Sequence, residues 1–176
     1  MKNIIYVALA FIAFTSCQQK KIGFVDNGTL INDYQEKKDI EAEFQLKEEA
    51  FRKKADSIGQ AFQVEAQKGQ AEAQKLAQKN NRKKAEELMA GLQQKQQALQ
   101  QQMQGEQQAL TQAFQVEIDS VISTVKTFVK GYGKTNKYTY ILGTSDAAAT
   151  VMYGEEASDL TNTILDALNA DYKKEE

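Results

Sequence analysis

The sequence predicts an α+β protein in which one very long antiparallel α-helical hairpin departs from a small strand-containing body. Three observations carry this prediction. About ninety-five residues, Glu36 to Lys130, hold no proline and few β-branched residues before Val116, and they are rich in Gln, Ala, Lys and Glu, which favours helix. Within them apolar residues recur every eleven positions, in two series that lose phase between Lys79 and Lys84. Runs rich in aromatic and β-branched residues lie outside, at Ile22 to Asp26 and after Tyr138.

The hairpin rests on its periodicity. Leu88, Leu99, Leu110 and Val121 stand eleven apart, each followed four residues later by Leu92, Met103, Phe114 and Val125. The earlier series is Ile40, Phe51, Phe62 and Ala73, followed by Phe44, Ala55, Ala66 and Ala77. Eleven residues over three turns give nearly straight or slightly right-handed helices with one narrow apolar stripe each. Lys79-Asn80-Asn81-Arg82-Lys83-Lys84 offers turn and capping chemistry between them. Helices over 36–79 and back to 130 would be ~65 and ~70 Å long. The stripe thins distally, from Ile58 and Phe62 to Ala66, Gly69 and Ala73. Gly59, Gly69, Gly91 and Gly105 each cost ~1 kcal/mol against alanine in a helix, so alanine at all four is expected to stabilise the arms by up to ~4 kcal/mol if every site is helical with no close backbone contact. Those glycines imply either a flexible arm or close approach of a helix or a bound partner. Gln60 to Glu65 recurs as Gln112 to Glu117, one copy per arm.

Residues 1–16 form a targeting segment: Lys2, an apolar run from Ile4 to Phe14, then Thr15-Ser16 before Cys17. That run is too short to span a bilayer. Its ending resembles a bacterial lipoprotein signal, departing at Phe14 where Leu is usual, and this makes Cys17 an acylated first residue. A plain secretory signal with an incidental cysteine is the alternative. Gln18 follows, with no Asp to resemble an inner-membrane retention signal, so an outer-membrane anchor is expected. The body comprises 17–35 and 131–176. Ile22 to Asp26 reads as a strand, and Asn27 or Thr29 as the cap of a short helix carrying Leu30, Ile31 and Tyr34. The returning stripe widens at Ile118, Ile122, Phe128 and Val129 as the helix re-enters a core, and Gly131-Tyr132-Gly133 is expected to end it. Tyr138 to Gly143 and Ala149 to Gly154 read as a β-hairpin. Asp159 is expected to cap a last helix, Leu160 to Tyr172, with Leu160, Ile164, Leu165 and Leu168 on one face.

Composition narrows the function. At 176 residues with net charge -2, the chain shows no basic face interleaved with aromatics, so nucleic acid is not an expected partner. No histidine, Gly-rich phosphate loop or metal-spaced cluster occurs, so no enzyme, metal or cofactor is expected. Asp26 and Asp146, beside strands, could form an acid–base pair, but turn capping explains either better. The strands must meet in one sheet to be stable, and a body of roughly eighty residues gains from oligomerisation.

Lys21-Ile22-Gly23-Phe24-Val25-Asp26, the long hairpin, Tyr138-Thr139-Tyr140-Ile141-Leu142, Val151-Met152-Tyr153 and Asp159-Leu160-Thr161, in this order, resemble the Skp/OmpH family of periplasmic chaperones over essentially all of the mature chain. The resemblance implies a homotrimer whose strands form a central β-barrel body and whose hairpins are tentacles around a cavity holding unfolded outer-membrane proteins without ATP. The expected localisation is the periplasm of a Gram-negative bacterium, with the membrane as a second partner through the lipid anchor. Candidate client contacts are Phe44, Phe51, Ile58, Phe62, Met103, Leu110 and Phe114, some of which must instead be hairpin core. The family's tentacles are commonly basic; here the mature chain carries 24 acidic residues and, without Lys2, 21 basic ones. Basic charge clusters at Lys75, Lys79, Arg82, Lys83 and Lys84, as an anion contact or a solvated turn. The competing function is a structural trimeric coiled-coil lipoprotein serving as an envelope spacer or scaffold.

Overall fold

The structure is a computed structural model that describes residues 20–145 and 150–175; the targeting segment, Cys17, Gln18 and Asp146 lie outside the described residues. Its contacts divide the chain into two units. One comprises residues 38–120, and the other the described residues up to Lys37 together with those from Val121 onward.

In the second unit, strand β1 (Ile22–Asp26) pairs in parallel with β2 (Tyr140–Thr144), Phe24 standing opposite Leu142. Alternation along β1 turns Gly23 and Val25 to the core, while Ile22 and Phe24 take the other face. Helix α1 (Asn27–Asn32) follows directly. Its cap is Asp26, whose Oδ1 accepts from the Thr29 N–H at 2.6 Å, in place of the expected Asn27 or Thr29. The helix begins as soon as the strand stops, so the last strand residue is the one positioned to cap it.

The last helix, α4 (Thr161–Glu175), is tied to β1 through Thr161, which is 5% exposed. Asp159 Oδ1 accepts from both the Thr161 N–H (2.9 Å) and its hydroxyl (2.6 Å), and Thr161 Oγ1 accepts from the Asp26 N–H at 2.9 Å. The core is completed by buried Val25, Leu30, Tyr34, Val121, Val125, Leu160, Ile164 and Leu168. Asn169 Oδ1 accepts from the Gln35 N–H at 2.8 Å, satisfying a donor that a helix start leaves open.

The expected second strand of a β-hairpin is not formed. Val151 to Tyr153 is irregular, with Met152 88% and Tyr153 85% exposed. From β2 the chain must reach the far edge of β1, where Asp159 bridges to Phe24 and the Leu160 N–H donates to the Phe24 carbonyl at 2.9 Å. It crosses with Gly154 against the Phe24 ring, so closely that an added Cβ would collide with Cε1. A strand turning back beside β2 could not make that crossing.

Helices α2 (Gln35–Gln78) and α3 (Arg82–Thr135) form the hairpin. Their turn is narrower than expected: Asn80 takes a left-handed conformation (φ 57°), and the Asn81 N–H donates to the Leu76 carbonyl at 2.9 Å, a Schellman-type closure. Helix α3 does not end at Gly131-Tyr132-Gly133. It runs on to Thr135 and closes on Lys137 (φ 59°), with the Tyr138 N–H donating to the Gly133 carbonyl at 2.9 Å. Gly133 serves packing instead, because a Cβ there would lie 3.3 Å from Ile141 Cδ1.

Candidate functional site

The unit of residues 38–120 contains the functional candidates, and four cross-helix contacts set its register. Phe44 meets Phe114 with ring centroids 5.2 Å apart. Lys54 donates to both Glu106 oxygens at 2.9 and 2.7 Å, Lys95 pairs with Glu65, and the Gly69 backbone receives the end of Leu92. In every pair the two residue numbers add to about 160, an unbroken antiparallel register. The Lys54 ammonium, assisted by the Gln102 amide, holds the Glu106 carboxyl below the usual carboxylate range.

The apolar candidates Phe44, Phe51, Ile58, Phe62, Met103, Leu110 and Phe114 all lie on the seam between α2 and α3. Each is half-buried, neither sealed nor free. Two narrow helices cover only part of each other's stripe, so each of these seven residues keeps an open side, whereas Ala73, Val121 and Val125 of the same stripes are buried. Phe44, Leu110 and Phe114 come together in a groove of about 290 Å³ walled by Glu41, Gln45, Glu48, Gln107 and Thr111. Phe62 opens into a second groove, about 790 Å³, with Met89 and Leu92 on the facing helix. Phe51, Ile58 and Met103 line neither.

The basic residues Lys75, Lys79, Arg82, Lys83 and Lys84 surround the turn and are all exposed; among the described residues none of them forms an ion pair. Cys17 lies outside the described residues. Among the described residues no group of three or more His, Cys, Asp or Glu could hold a metal, and no helix is long and apolar enough to cross a membrane.

Sequence reasoning missed two features. Met89 is a groove residue that belongs to neither eleven-residue series. Val64 and Val116, 50% and 65% exposed, point away from the seam. The repeated Gln-Ala-Phe-Gln-Val-Glu carried that signal, because a residue two positions after a seam Phe lies ~200° around the helix.

A comparison with curated proteins finds no match. Among solved structures the chain is similar to one assigned as an OmpH-like outer membrane chaperone from Caulobacter crescentus CB15, with TM-score 0.72 at 19% identity over 89% of this chain and 88% of that one; at that identity the likeness is one of fold. The sequence model of the family described as Outer membrane protein (OmpH-like) matches residues 21–168, and the chain therefore belongs to the OmpH-like family.

Proposed function

We propose that this chain is an ATP-independent holdase that keeps outer-membrane proteins unfolded but soluble in the periplasm, acting as a homotrimer and anchored to the outer membrane through acylated Cys17. The observation that carries the reading is the half-open seam. Seven large apolar residues, from Phe44 to Phe114, retain accessible sides on a helical hairpin. Surfaces of this kind give many weak, non-directional contacts, which suit clients without fixed structure. Family membership supports the same reading, as does the chaperone assignment of the similar Caulobacter structure.

The trimer with a shared β-barrel is supported by the sheet. Among the described residues only two strands form the sheet, and the face away from the core exposes Ile22 (48%), Tyr140 (58%) and Leu142 (43%). An exposed apolar sheet face of this kind is a liability unless other copies cover it. The basic turn is read as solvated.

The test is the solution mass of the mature protein, alone and with a urea-unfolded β-barrel protein, alongside aggregation assays on several unrelated barrels. A trimer that suppresses aggregation of all of them is expected. A stable monomer would remove the shared-barrel reading, and a trimer protecting none would remove the holdase. For the anchor, Cys17→Ser is expected to move the protein from washed membranes to the soluble periplasmic fraction; a variant still in the membranes would show another means of attachment.

A further inference from the structure

The two grooves of the hairpin are one design repeated. On α2, Phe44, Gln45 and Glu48 line the first, and the residues eighteen positions on, Phe62, Gln63 and Ala66, line the second. On α3, Gln107, Leu110, Thr111 and Phe114 line the first, and the residues eighteen positions earlier, Met89, Leu92, Gln93 and Gln96, line the second. Eighteen residues are five full turns, so both grooves open on one flank, about 27 Å apart.

The wall between them is uncharged. Twelve of the 23 residues from 93 to 115 are glutamine, all exposed. Gln93, Gln97, Gln100, Gln104, Gln107 and Thr111, spaced 4-3-4-3-4, run down this flank from one groove to the other. The two charges of that stretch, Lys95 and Glu106, are neutralised across the hairpin by Glu65 and Lys54. On the opposite wall Glu48 and Arg52 neutralise each other at 3.0 Å; the other carboxylates lining the grooves are Glu41, three residues before Phe44, and Glu86, three residues before Met89. A carboxamide both donates and accepts hydrogen bonds, so such a row can pair with peptide groups of any sequence.

We infer that this flank binds an extended, uncharged polypeptide segment about nine residues long, with bulky apolar side chains at positions i and i+8 seated in the two grooves and its backbone facing the glutamine row. Eight residues of extended chain cover about 27 Å, and an even spacing puts both side chains on one face. A strand of a membrane β-barrel has this length and alternation, about ten residues with apolar side chains on one face. The uncharged glutamine row between the grooves matches its uncharged apolar face in a way that a basic or acidic row would not. The inference rests on the holdase reading and names the client feature this site takes.

The test uses the full mature protein and labelled unstructured peptides of about 13 residues that have one composition and differ only in whether two Phe are eight or three positions apart. Fluorescence anisotropy is expected to give about tenfold tighter binding for the eight-residue spacing, since only that peptide seats both rings. Its affinity should change less than about twofold between low and high salt, because no charge is being screened. Gln100→Glu with Gln104→Glu, two exposed substitutions that preserve helix propensity, is expected to weaken binding of an acidic version of the peptide and make that binding salt-dependent. Equal affinity for the two spacings, or about tenfold loss of the neutral peptide in salt, overturns the inference; if aggregation of unfolded barrels is still suppressed, the holdase reading stands without it. If neither peptide binds and no barrel is protected, both fall.

Discussion

Alanine substitution at the four arm glycines separates looseness from close packing. Gly59, Gly91 and Gly105 lie within α2 and α3, and a Cβ built at each meets nothing within 4 Å. Each Gly→Ala change there should stabilise the arm by the helix-propensity difference alone, ~0.8–1 kcal/mol, or ~2.5–3 kcal/mol for all three. Gly69 is buried, and its Cβ would lie 2.6 Å from Leu92 Cδ1, so something must shift. Over-packing of this kind costs ~1–3 kcal/mol. Set against a propensity gain of ~1 kcal/mol, the net effect runs from neutral to ~2 kcal/mol destabilising. The condition on the ~4 kcal/mol expectation, no close contact at any site, is therefore met at Gly59, Gly91 and Gly105 and not at Gly69, where Leu92 occupies the space. Because the colliding atom ends the Leu92 side chain, Leu92→Ala should remove the penalty, and the double variant should depart from additivity by ~1 kcal/mol or more. Urea unfolding followed by far-UV circular dichroism, with hydrogen exchange of amides between 55 and 105, reads the arms directly. Stabilisation by Gly69→Ala equal to that at the other three sites, with no coupling to Leu92, would refute the packing argument.

Three further outcomes follow from other contacts. Thr161→Val keeps the shape but leaves the Asp26 N–H without its acceptor and Asp159 Oδ1 with only the backbone N–H of residue 161; a loss of ~1–3 kcal/mol is expected in urea midpoints of the body, largely restored by Thr161→Ser, and a change below ~0.5 kcal/mol would show the hub to be incidental. Asn80→Val forces a β-branched residue into left-handed backbone and should destabilise the arms by ~1–2 kcal/mol, whereas Asn80→Gly should be neutral or slightly favourable; exchange rates around the turn decide it. Glu106 has a depressed pKa because Lys54, and then Gln102, donate to it. Its contribution is therefore present above the ordinary glutamate range and lost as pH falls through the lower folded value. Glu106→Gln should lower the thermal midpoint at pH 7 and leave it unchanged near pH 2, and an equal difference at both would exclude the ion pair as its cause.

The sequence by itself determined the long elements. Without proline and with an eleven-residue stripe, residues 36–130 could be little but two helices with their apolar lines facing each other, and Asn80-Asn81 was the one place with the backbone chemistry to reverse them. Those signals are local and periodic, so they survive without knowledge of any distant residue. The Ile22 to Asp26 strand and the apolar face of Leu160, Ile164 and Leu168 were legible for the same reason. Tertiary structure decided what depends on partners far along the chain. Whether Val151 to Tyr153 becomes a strand turns on the route to the free edge of β1, and whether Gly69 is slack or filled turns on Leu92 across the hairpin. The same holds for the candidate site. Periodicity identified the stripe, but only the pairing of α2 with α3 left the seven candidate stripe residues one open side each and brought Met89 into the groove that holds Phe62. The twofold repeat of the grooves arises there too: eighteen residues close five turns on either helix, and the unbroken antiparallel register sets that step forward on α2 opposite the same step back on α3.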